Sequence, residues 1–169
     1  MNQDNQIPIE WDASENAFSE GLKCYTPNHL GVLTSARPAH DFQKGISFKL
    51  LQEARQIWLG VGRKKSESFD EMYLCKINSG QVKFLGTFQD TTVAKAISRN
   101  QTINVKFNQS EAELEFIVEG QSFKFKHEDF GNQANIFYWK IYFDDKDSEI
   151  EASAPKTTIK KQMNTIVKS

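Results

Sequence analysis

Two runs of alternating polar and apolar residues, joined by a short polar turn, limit what this chain can fold into more than any other feature. Within residues 102–107 and 113–119 every second side chain is apolar. Period two is typical of strands with one buried and one solvated face. Residues 108–111 between the runs are polar and suit a turn, so the pattern predicts a β-hairpin. The apolar members are Ile103, Val105, Phe107, Leu114, Phe116 and Val118.

Similar short runs recur along most of the chain, separated by turn residues. The last of them, residues 136–143, places Phe137, Trp139, Ile141 and Phe143 on one face. The chain has 13 phenylalanines, and aromatic residues in alternating runs favour sheet over helix. Many short strands without a long helix predict an all-β fold, an antiparallel sandwich or barrel. The other predicted strands are 20–25, 30–33, 45–50, 57–62, 71–77, 82–88 and 123–126.

A length of 169 residues predicts one folded domain. Residues 1–6 are polar and are expected to be disordered. Residues 7–146 are expected to form the sandwich. From 147 to 169 aromatic residues vanish, so this segment is expected to be a flexible polar tail that cannot bury enough apolar surface to fold. In an alternative interpretation, residues 159–167 form a short amphipathic helix against a partner.

Net charge disfavours some classes of partner, and the cysteine content and the absence of long apolar runs indicate the compartment. With 21 basic and 22 acidic residues, the net charge of -1 favours neither nucleic acid nor an anionic membrane, which both need a basic surface. No apolar run reaches membrane-spanning length, and residues 1–6 lack the apolar core of a signal peptide. The sequence therefore predicts a cytoplasmic protein whose Cys24 and Cys75 stay reduced, with a bridge between them as the alternative.

Histidines, acidic residues and glycines occur in the chain, but not at the spacings that catalytic, metal-binding or phosphate-binding motifs require. The histidines His29, His40 and His127 lack metal-ligand spacing. Residues 60–65 lack the Gly-Lys-Ser/Thr ending of a phosphate loop. Residues 127–129 are similar to part of an acid–base site, but no nucleophile motif accompanies them. Asp144, Asp145 and Asp147 lack the glycine and final glutamate of a calcium loop. No catalytic residue, metal or cofactor is expected.

Three ordered segments carry a family resemblance. Residues 32–38 lead to Gly45-Ile46-Ser47-Phe48, residues 57–62 read Ile-Trp-Leu-Gly-Val-Gly, and residues 102–105 are followed by the run 114–120. In this order they resemble the SPRY domain, over residues 7–145. Gln101 and Asn104 stand where that family has aspartate and glycine, which makes this a divergent member. The resemblance implies a bent antiparallel β-sandwich of SPRY/concanavalin-like jelly-roll type, which binds proteins through loops at one edge and has no catalytic activity.

Four loops are expected to converge on that edge: 34–41, 63–70, 86–92 and 127–135. Loops on a rigid scaffold are the usual place for binding residues. The expected partner is a protein or peptide, bound by a chain that is monomeric alone and acts as an adaptor or structural subunit of a larger assembly. A lectin-like sandwich that binds carbohydrate or a small ligand is the alternative. The candidate partner-binding residues are Arg37, Pro38, His40, Arg63, Phe69 and His127.

Two of the residues in or beside these loops allow a structural interpretation as well. The guanidinium of Arg37 suits a hot spot and equally suits a clamp on backbone carbonyls. Trp58 suits either recognition or core packing.

Overall fold

The computed structural model describes residues 6–27, 30–52, 56–93 and 97–156, and within them two antiparallel β-sheets pack face to face. The strands follow the alternating runs of the sequence. They are β1 (Gln6–Pro8), β2 (Phe18–Glu20), β3 (Lys23–Thr26), β4 (Gly31–Pro38), β5 (Ile46–Leu50), β6 (Ile57–Gly62), β7 (Met72–Lys76), β8 (Val82–Phe84), β9 (Thr87–Phe88), β10 (Thr102–Asn108), β11 (Glu113–Val118), β12 (Gln121–Lys126), β13 (Tyr138–Phe143) and β14 (Ser148–Pro155).

The larger sheet has eight strands, and the last strand of the described chain, β14, lies in its middle. Its order is β12-β11-β10-β5-β14-β3-β2, and β1 also pairs with β14. The predicted hairpin forms the second and third strands from one edge, next to β12: β10 and β11 pair from Ile103↔Val118 to Asn108↔Glu113. The prediction of a hairpin from residues 102–119 is therefore confirmed.

The smaller sheet has six strands in the order β4-β13-β6-β7-β8-β9. Residues 10–12 cover the free side of β4, because Trp11 bridges to Ser35 and the amide of Asp12 donates to the carbonyl of Thr34 at 2.8 Å. At the opposite edge, β9 has only two residues, both exposed. One edge of this sheet is thus closed by the chain itself and the other is short and open.

The core lies between the sheets and contains the inward side chains of both. In β13 the residues Trp139, Ile141 and Phe143 are buried, together with Phe137 just before the strand. They face β10 and β11, whose Val105 and Phe116 are fully buried. The prediction that Phe137, Trp139, Ile141 and Phe143 share one face of a strand is confirmed, and so is the prediction of an all-β sandwich.

The expectation that residues 147–169 form a flexible polar tail is wrong for its first part. Residues 148–155 form β14, in which Ile150, Ala152 and Ala154 are buried against the core. The strand pairs with β5 on one side and with β3 on the other. Alternation with small apolar residues is enough for a strand here, because its neighbours supply the large side chains. Residues 157–169 lie outside the described residues, as does His29.

Three smaller boundaries also differ from expectation. Gln6, expected to be disordered, is the first residue of β1 and pairs with Pro155. Residues 34–38, expected to be part of a loop, continue β4, and a short 3-10 helix, Ala39–Asp41, follows. The expected polar loop 127–135 contains a short helix, α1 (Glu128–Gly131), whose Phe130 is fully buried.

Candidate protein-binding surface

The candidate surface lies on the outer face of the smaller sheet, around the segment 63–71 that connects β6 to β7. We call residues 63–71 the covering segment. It ends in a 3-10 helix, Phe69–Glu71, and Phe69 and Ser66 contact outward-pointing residues of the sheet rather than extending into solvent. The loop 63–70 that the sequence predicts is therefore present, but it lies across a sheet face instead of standing at an edge.

A buried lysine attaches the covering segment to the sheet. Lys140 points outward from β13, and its ammonium donates to the carbonyl oxygen of Ser66 at 2.5 Å and to that of Lys64 at 3.5 Å. A third bond goes to the hydroxyl of Thr34 on β4, at 2.8 Å. All three donors of the amine thus have a partner. Burial lowers the pKa of Lys140 from 10.5 to about 8, and the negative charge of Glu67 opposes that shift.

Glycine in β6 makes room for this lysine. A Cβ added at Gly62 would lie 3.1 Å from Cε of Lys140 and 2.9 Å from Cγ of Met72, closer than such atoms normally approach. In the pairing of β13 with β6, Tyr138 lies opposite Gly62 and Lys140 lies opposite Gly60. A Cβ at Gly60 would in turn collide with the backbone carbonyl oxygen of Tyr73 on β7, so close packing accounts for both glycines of residues 60–62.

An aromatic contact holds the other end of the covering segment. The ring of Phe69 meets Trp58 edge to face at a centroid distance of 4.6 Å and Tyr142 at 5.3 Å. Met72 and Leu74 complete this outer apolar cluster. Trp58 is only 5% exposed, so it packs beneath Phe69. Phe69, one of the candidate partner-binding residues, is half-buried.

The covering segment also contacts the three other predicted loops. Lys64 Nζ donates to the carbonyls of Ser35 and Ala36, at 3.3 and 3.2 Å. Arg63 donates to Oδ1 of Asn135 at 2.6 Å. A Cβ at Gly86 would lie 2.7 Å from Oδ1 of Asp70, so these two residues are in contact. Parts of 34–41, 86–92 and 127–135 thus meet around residues 63–70.

Three candidate residues lie at the end of β4. Arg37 is half-buried, with Nε 3.4 Å from Oδ2 of Asp41. Pro38 pairs with Tyr138. His40 is exposed and its Nε2 lies 3.5 Å from Oδ1 of the same aspartate. Asp41 thus orients both a guanidinium and an imidazole at one corner of the surface.

His127 is half-buried, and its imidazole forms a hydrogen bond that stabilises the start of α1. Its Nδ1 accepts from the amide of Asp129 at 3.1 Å and so caps α1. The carboxylate of Asp129 accepts from the hydroxyl of Tyr73 at 2.6 Å. Burial, and then the bond to Asp129, raise the pKa of Tyr73 above its usual value. The rings of His127, Tyr73 and Phe130 lie 4.8–5.8 Å apart, so the resemblance of 127–129 to an acid–base site has a packing explanation.

Sequence reasoning missed Lys140 and Lys64. Lys140 occupies an outward position of an alternating strand, where a charged residue is unremarkable in sequence. Its burial depends on Ser66, which is distant in sequence, and no local pattern reports such a contact. Lys64 had a weak signal, since it follows the glycine-rich end of β6 in a basic run.

A small polar cavity lies beside this surface. Its volume is about 120 Å³, and it is lined by both Asp12 and Lys64, whose charged atoms are 2.7 Å apart. Pockets for drug-sized ligands are typically about 300–1,000 Å³, so this cavity is smaller than such a site. Within the described residues no group of three or more His, Cys, Asp or Glu side chains could hold a metal ion. No helix in the same part of the chain is long and apolar enough to cross a membrane.

Both cysteines are free and buried. Burial raises the pKa of Cys24 to about 12 and raises that of Cys75 as well. Thiols with such pKa values stay protonated near neutral pH and are poor nucleophiles.

Comparison with solved structures identifies the fold. The SPRY domain of human HERC1 matches with a TM-score of 0.69 and 14% sequence identity, covering 85% of this chain and 97% of that domain. The PSpry domain of TRIM65 matches with a TM-score of 0.59 and 12% identity, covering 85% and 89%. The sequence matches no protein-family model and no curated protein sequence.

The fold is also shared with a domain solved in complex with Ca²⁺ and Man3GlcNAc. The exoplasmic/lumenal domain of VIP36, in a form bound to Ca²⁺ and Man3GlcNAc, matches with a TM-score of 0.51 and 11% identity, covering 91% of this chain and 89% of that domain. The structural resemblance to SPRY domains and the SPRY/concanavalin-like sandwich are thus confirmed. Neighbours of this kind are typically binding domains without catalytic activity.

Proposed function

We propose that this chain, which has the fold of SPRY domains, is a non-enzymatic protein–protein interaction module that binds a protein or peptide around its covering segment. One observation carries the proposal. The covering segment is anchored by Lys140 and Phe69 and contacts three further loops, so side chains from four parts of the sequence form one supported surface. Recognition residues are most effective when a rigid scaffold orders them before binding.

Roles follow from the position of each candidate residue. His40 and Arg63 are exposed and are proposed to contact the partner directly. Arg37 and Pro38 are proposed to shape the corner at the end of β4, and Asp41 orients Arg37 there. Phe69 and His127, both half-buried, are proposed to support the surface from beneath and to contribute a ring edge. We further propose that the module acts in the cytoplasm, as an adaptor or subunit of a larger assembly.

Affinity isolation from native extract with the full chain as bait tests the proposal. The variants His40→Ala and Arg63→Ala change the surface, and Lys124→Ala on β12 is the matched control, because it is exposed on the other sheet. A partner that the control retains and either surface variant loses supports the proposal. A partner lost only with Lys124→Ala contradicts it.

A lectin-like function is the second candidate, carried by the fold shared with the VIP36 domain. It predicts binding on a glycan array by the full chain, in the presence and absence of added calcium. Binding there, together with no protein partner in extract, would replace the first proposal with this one. An array without a binder removes the second candidate.

A further inference from the structure

A row of aromatic side chains leads from the centre of the outer face to the open edge of the smaller sheet. It begins at Tyr142, whose ring lies 5.3 Å from that of Phe69. The ammonium of Lys83 lies 5.2 Å from the ring of Phe69 and 4.2 Å from that of Phe88. Phe88 is 56% exposed and ends the row at β9. The proposed binding surface is therefore continuous with this edge.

The backbone at the end of the row is positioned to pair with another strand. β8 and β9 are joined by a turn in which Leu85 and Gly86 both have positive φ, 53° and 83°, as a tight two-residue hairpin requires. The pairs are Phe84↔Thr87 and Lys83↔Phe88, and the amide of Gln89 donates to Val82. Because hydrogen-bonded and non-bonded pairs alternate in an antiparallel ladder, the amide and carbonyl of Phe88 point away from the sheet.

The other sheet edges are less suited to receive a strand. The edge at β4 is covered by residues 10–12. The outer strand β12 carries the exposed lysines Lys124 and Lys126, and edge lysines are a common means of discouraging further pairing. At the edge formed by β2, the ring of Phe18 packs at a tilt of 38° against that of Tyr25, at a centroid distance of 5.8 Å. The edge at β9 instead presents Phe88 and Leu85, which is 43% exposed.

The charge at this edge indicates the chemistry of the occupant. Among the described residues no carboxylate forms an ion pair with Lys83, although two aromatic rings flank its ammonium. A cation held between rings is partly desolvated and attracts an anion more strongly than a freely hydrated lysine does. An apolar side chain beside that anion would cover the exposed face of Phe88.

We infer that the edge strand β9 is a docking site for an extended segment of a partner protein, in which acidic and apolar residues alternate. The segment adds to the smaller sheet by pairing with the backbone of Phe88, and it places a carboxylate on Lys83. The inference rests on the proposed interaction function and specifies the partner's chemistry. Strand addition of this kind draws affinity from main-chain hydrogen bonds and specificity from alternate side chains.

Two synthetic peptides test the inference on the full-length chain. In one, glutamate and valine alternate; in the other, lysine replaces glutamate. We expect the acidic peptide alone to bind, with hydrogen-exchange protection appearing at the amide of Phe88. Lys83→Glu should weaken that binding by at least about fivefold, as loss of a charge pair of roughly 1 kcal/mol does. Lys44→Glu, an exposed lysine beside the larger sheet, should leave it unchanged.

Phe88→Pro and an N-methylated peptide separate strand addition from other modes. Proline is tolerated on an edge strand whose amide points to solvent, so the variant should fold and lose peptide binding. Three results would each overturn the inference. The acidic peptide could bind equally well when its central amides are methylated, the unmodified acidic peptide could fail to bind, or the chain could prefer the lysine peptide. A wild-type dimer that Phe88→Pro converts to monomer also overturns it, because the occupant is then a second copy. If the peptides fail while His40→Ala or Arg63→Ala still loses a partner, only this inference falls and the interaction module stands.

Discussion

The ammonium of Lys140 donates a hydrogen bond to the carbonyl oxygen of Ser66, 74 positions away in the sequence, at a distance of 2.5 Å. This bond joins the strand β13 to the covering segment. Replacing Lys140 with methionine keeps an unbranched side chain, one heavy atom shorter, and leaves Ser66, Lys64 and Thr34 without this donor. Unpaired buried polar groups typically cost about 1–3 kcal/mol, so the free energy of unfolding should fall by that amount in urea denaturation.

The same variant should also loosen the covering segment locally. Amides of residues 63–71 are expected to exchange faster in Lys140→Met than in the wild type, while those of β10 keep their relative protection. Lys44→Met, at an exposed turn position, should change stability by no more than about 0.5 kcal/mol. Unchanged exchange across 63–71 in Lys140→Met would show that the segment is held by other contacts.

Lys140 also makes stability depend on pH in a defined direction. Its pKa is about 8 in the folded chain and 10.5 when exposed. Below about pH 8 both states carry the charge, so the cost of burying it is fully present. Between about 8 and 10.5 the unfolded chain binds the proton that the folded chain releases, and the contribution of this residue therefore stabilises the fold as pH rises. It is lost again as pH falls through about 8.

Comparison with Lys140→Met isolates this effect, because tyrosines and other lysines titrate in both proteins alike. The difference in unfolding free energy between wild type and variant should shift in favour of the wild type from pH 7.5 to pH 9.5 (values bracketing about 8). A difference that stays constant over this range would mean that the folded pKa is not lowered.

Phe69→Ala should expose Trp58. The phenyl ring covers the indole at 4.6 Å, and its removal lets water reach a side chain that is 5% exposed in the wild type. Tryptophan emission should move to longer wavelength and acrylamide quenching should increase. The change should disappear in a Trp58→Phe background, which separates it from Trp11 and Trp139. Phe18→Ala, on the larger sheet, should leave the emission unchanged.

Gly62→Ala tests whether the absence of a side chain at residue 62 is needed to accommodate the side chain of Lys140. The added methyl would lie 3.1 Å from Cε of Lys140 and 2.9 Å from Met72, so one of them must move. Overpacking of this kind costs about 1–3 kcal/mol, which thermal or urea unfolding can measure. A protein of wild-type stability would indicate that the lysine chain has room to shift.

Truncation after residue 146 should unfold the protein. It removes β14, which lies between β5 and β3 and buries Ile150 and Ala154. Loss of near-ultraviolet circular dichroism and of a cooperative urea transition would check this. Truncation after residue 156 removes no strand of the described sheets and should preserve both signals. A folded protein ending at 146 would contradict the central role of β14.

The sequence was informative where structure is determined by local alternation. The hairpin of β10 and β11 and the aromatic face of β13 could be predicted because their large apolar residues recur every second position. The strand β14 has the same period, with Ile150, Ala152 and Ala154 buried. It was missed because alanine carries little hydrophobic signal by itself, and only its location between two other strands makes a small residue suitable.

The candidate surface was predictable in outline and not in detail. The four loops could be located from turn residues and charge, and contacts such as that between Arg63 and Asn135 join parts of them. The direction in which the covering segment runs could not be predicted, since it depends on Lys140 meeting Ser66, 74 positions away in the sequence, and on Phe69 folding back onto Trp58. Whether His40 and Arg63 bind a partner stays a prediction.

The central position of β14 has a consequence for synthesis on the ribosome. Strands β5 and β10–β12 emerge before residues 148–155, as do β1–β3, yet within the larger sheet these two groups are connected through β14. Until that strand has left the exit tunnel, the nascent chain carries unpaired strand edges on both sides of the gap. Closing the sheet is therefore the final step, completed after almost all of the described chain has been translated, and the exposed edges before that moment are where a chaperone would bind.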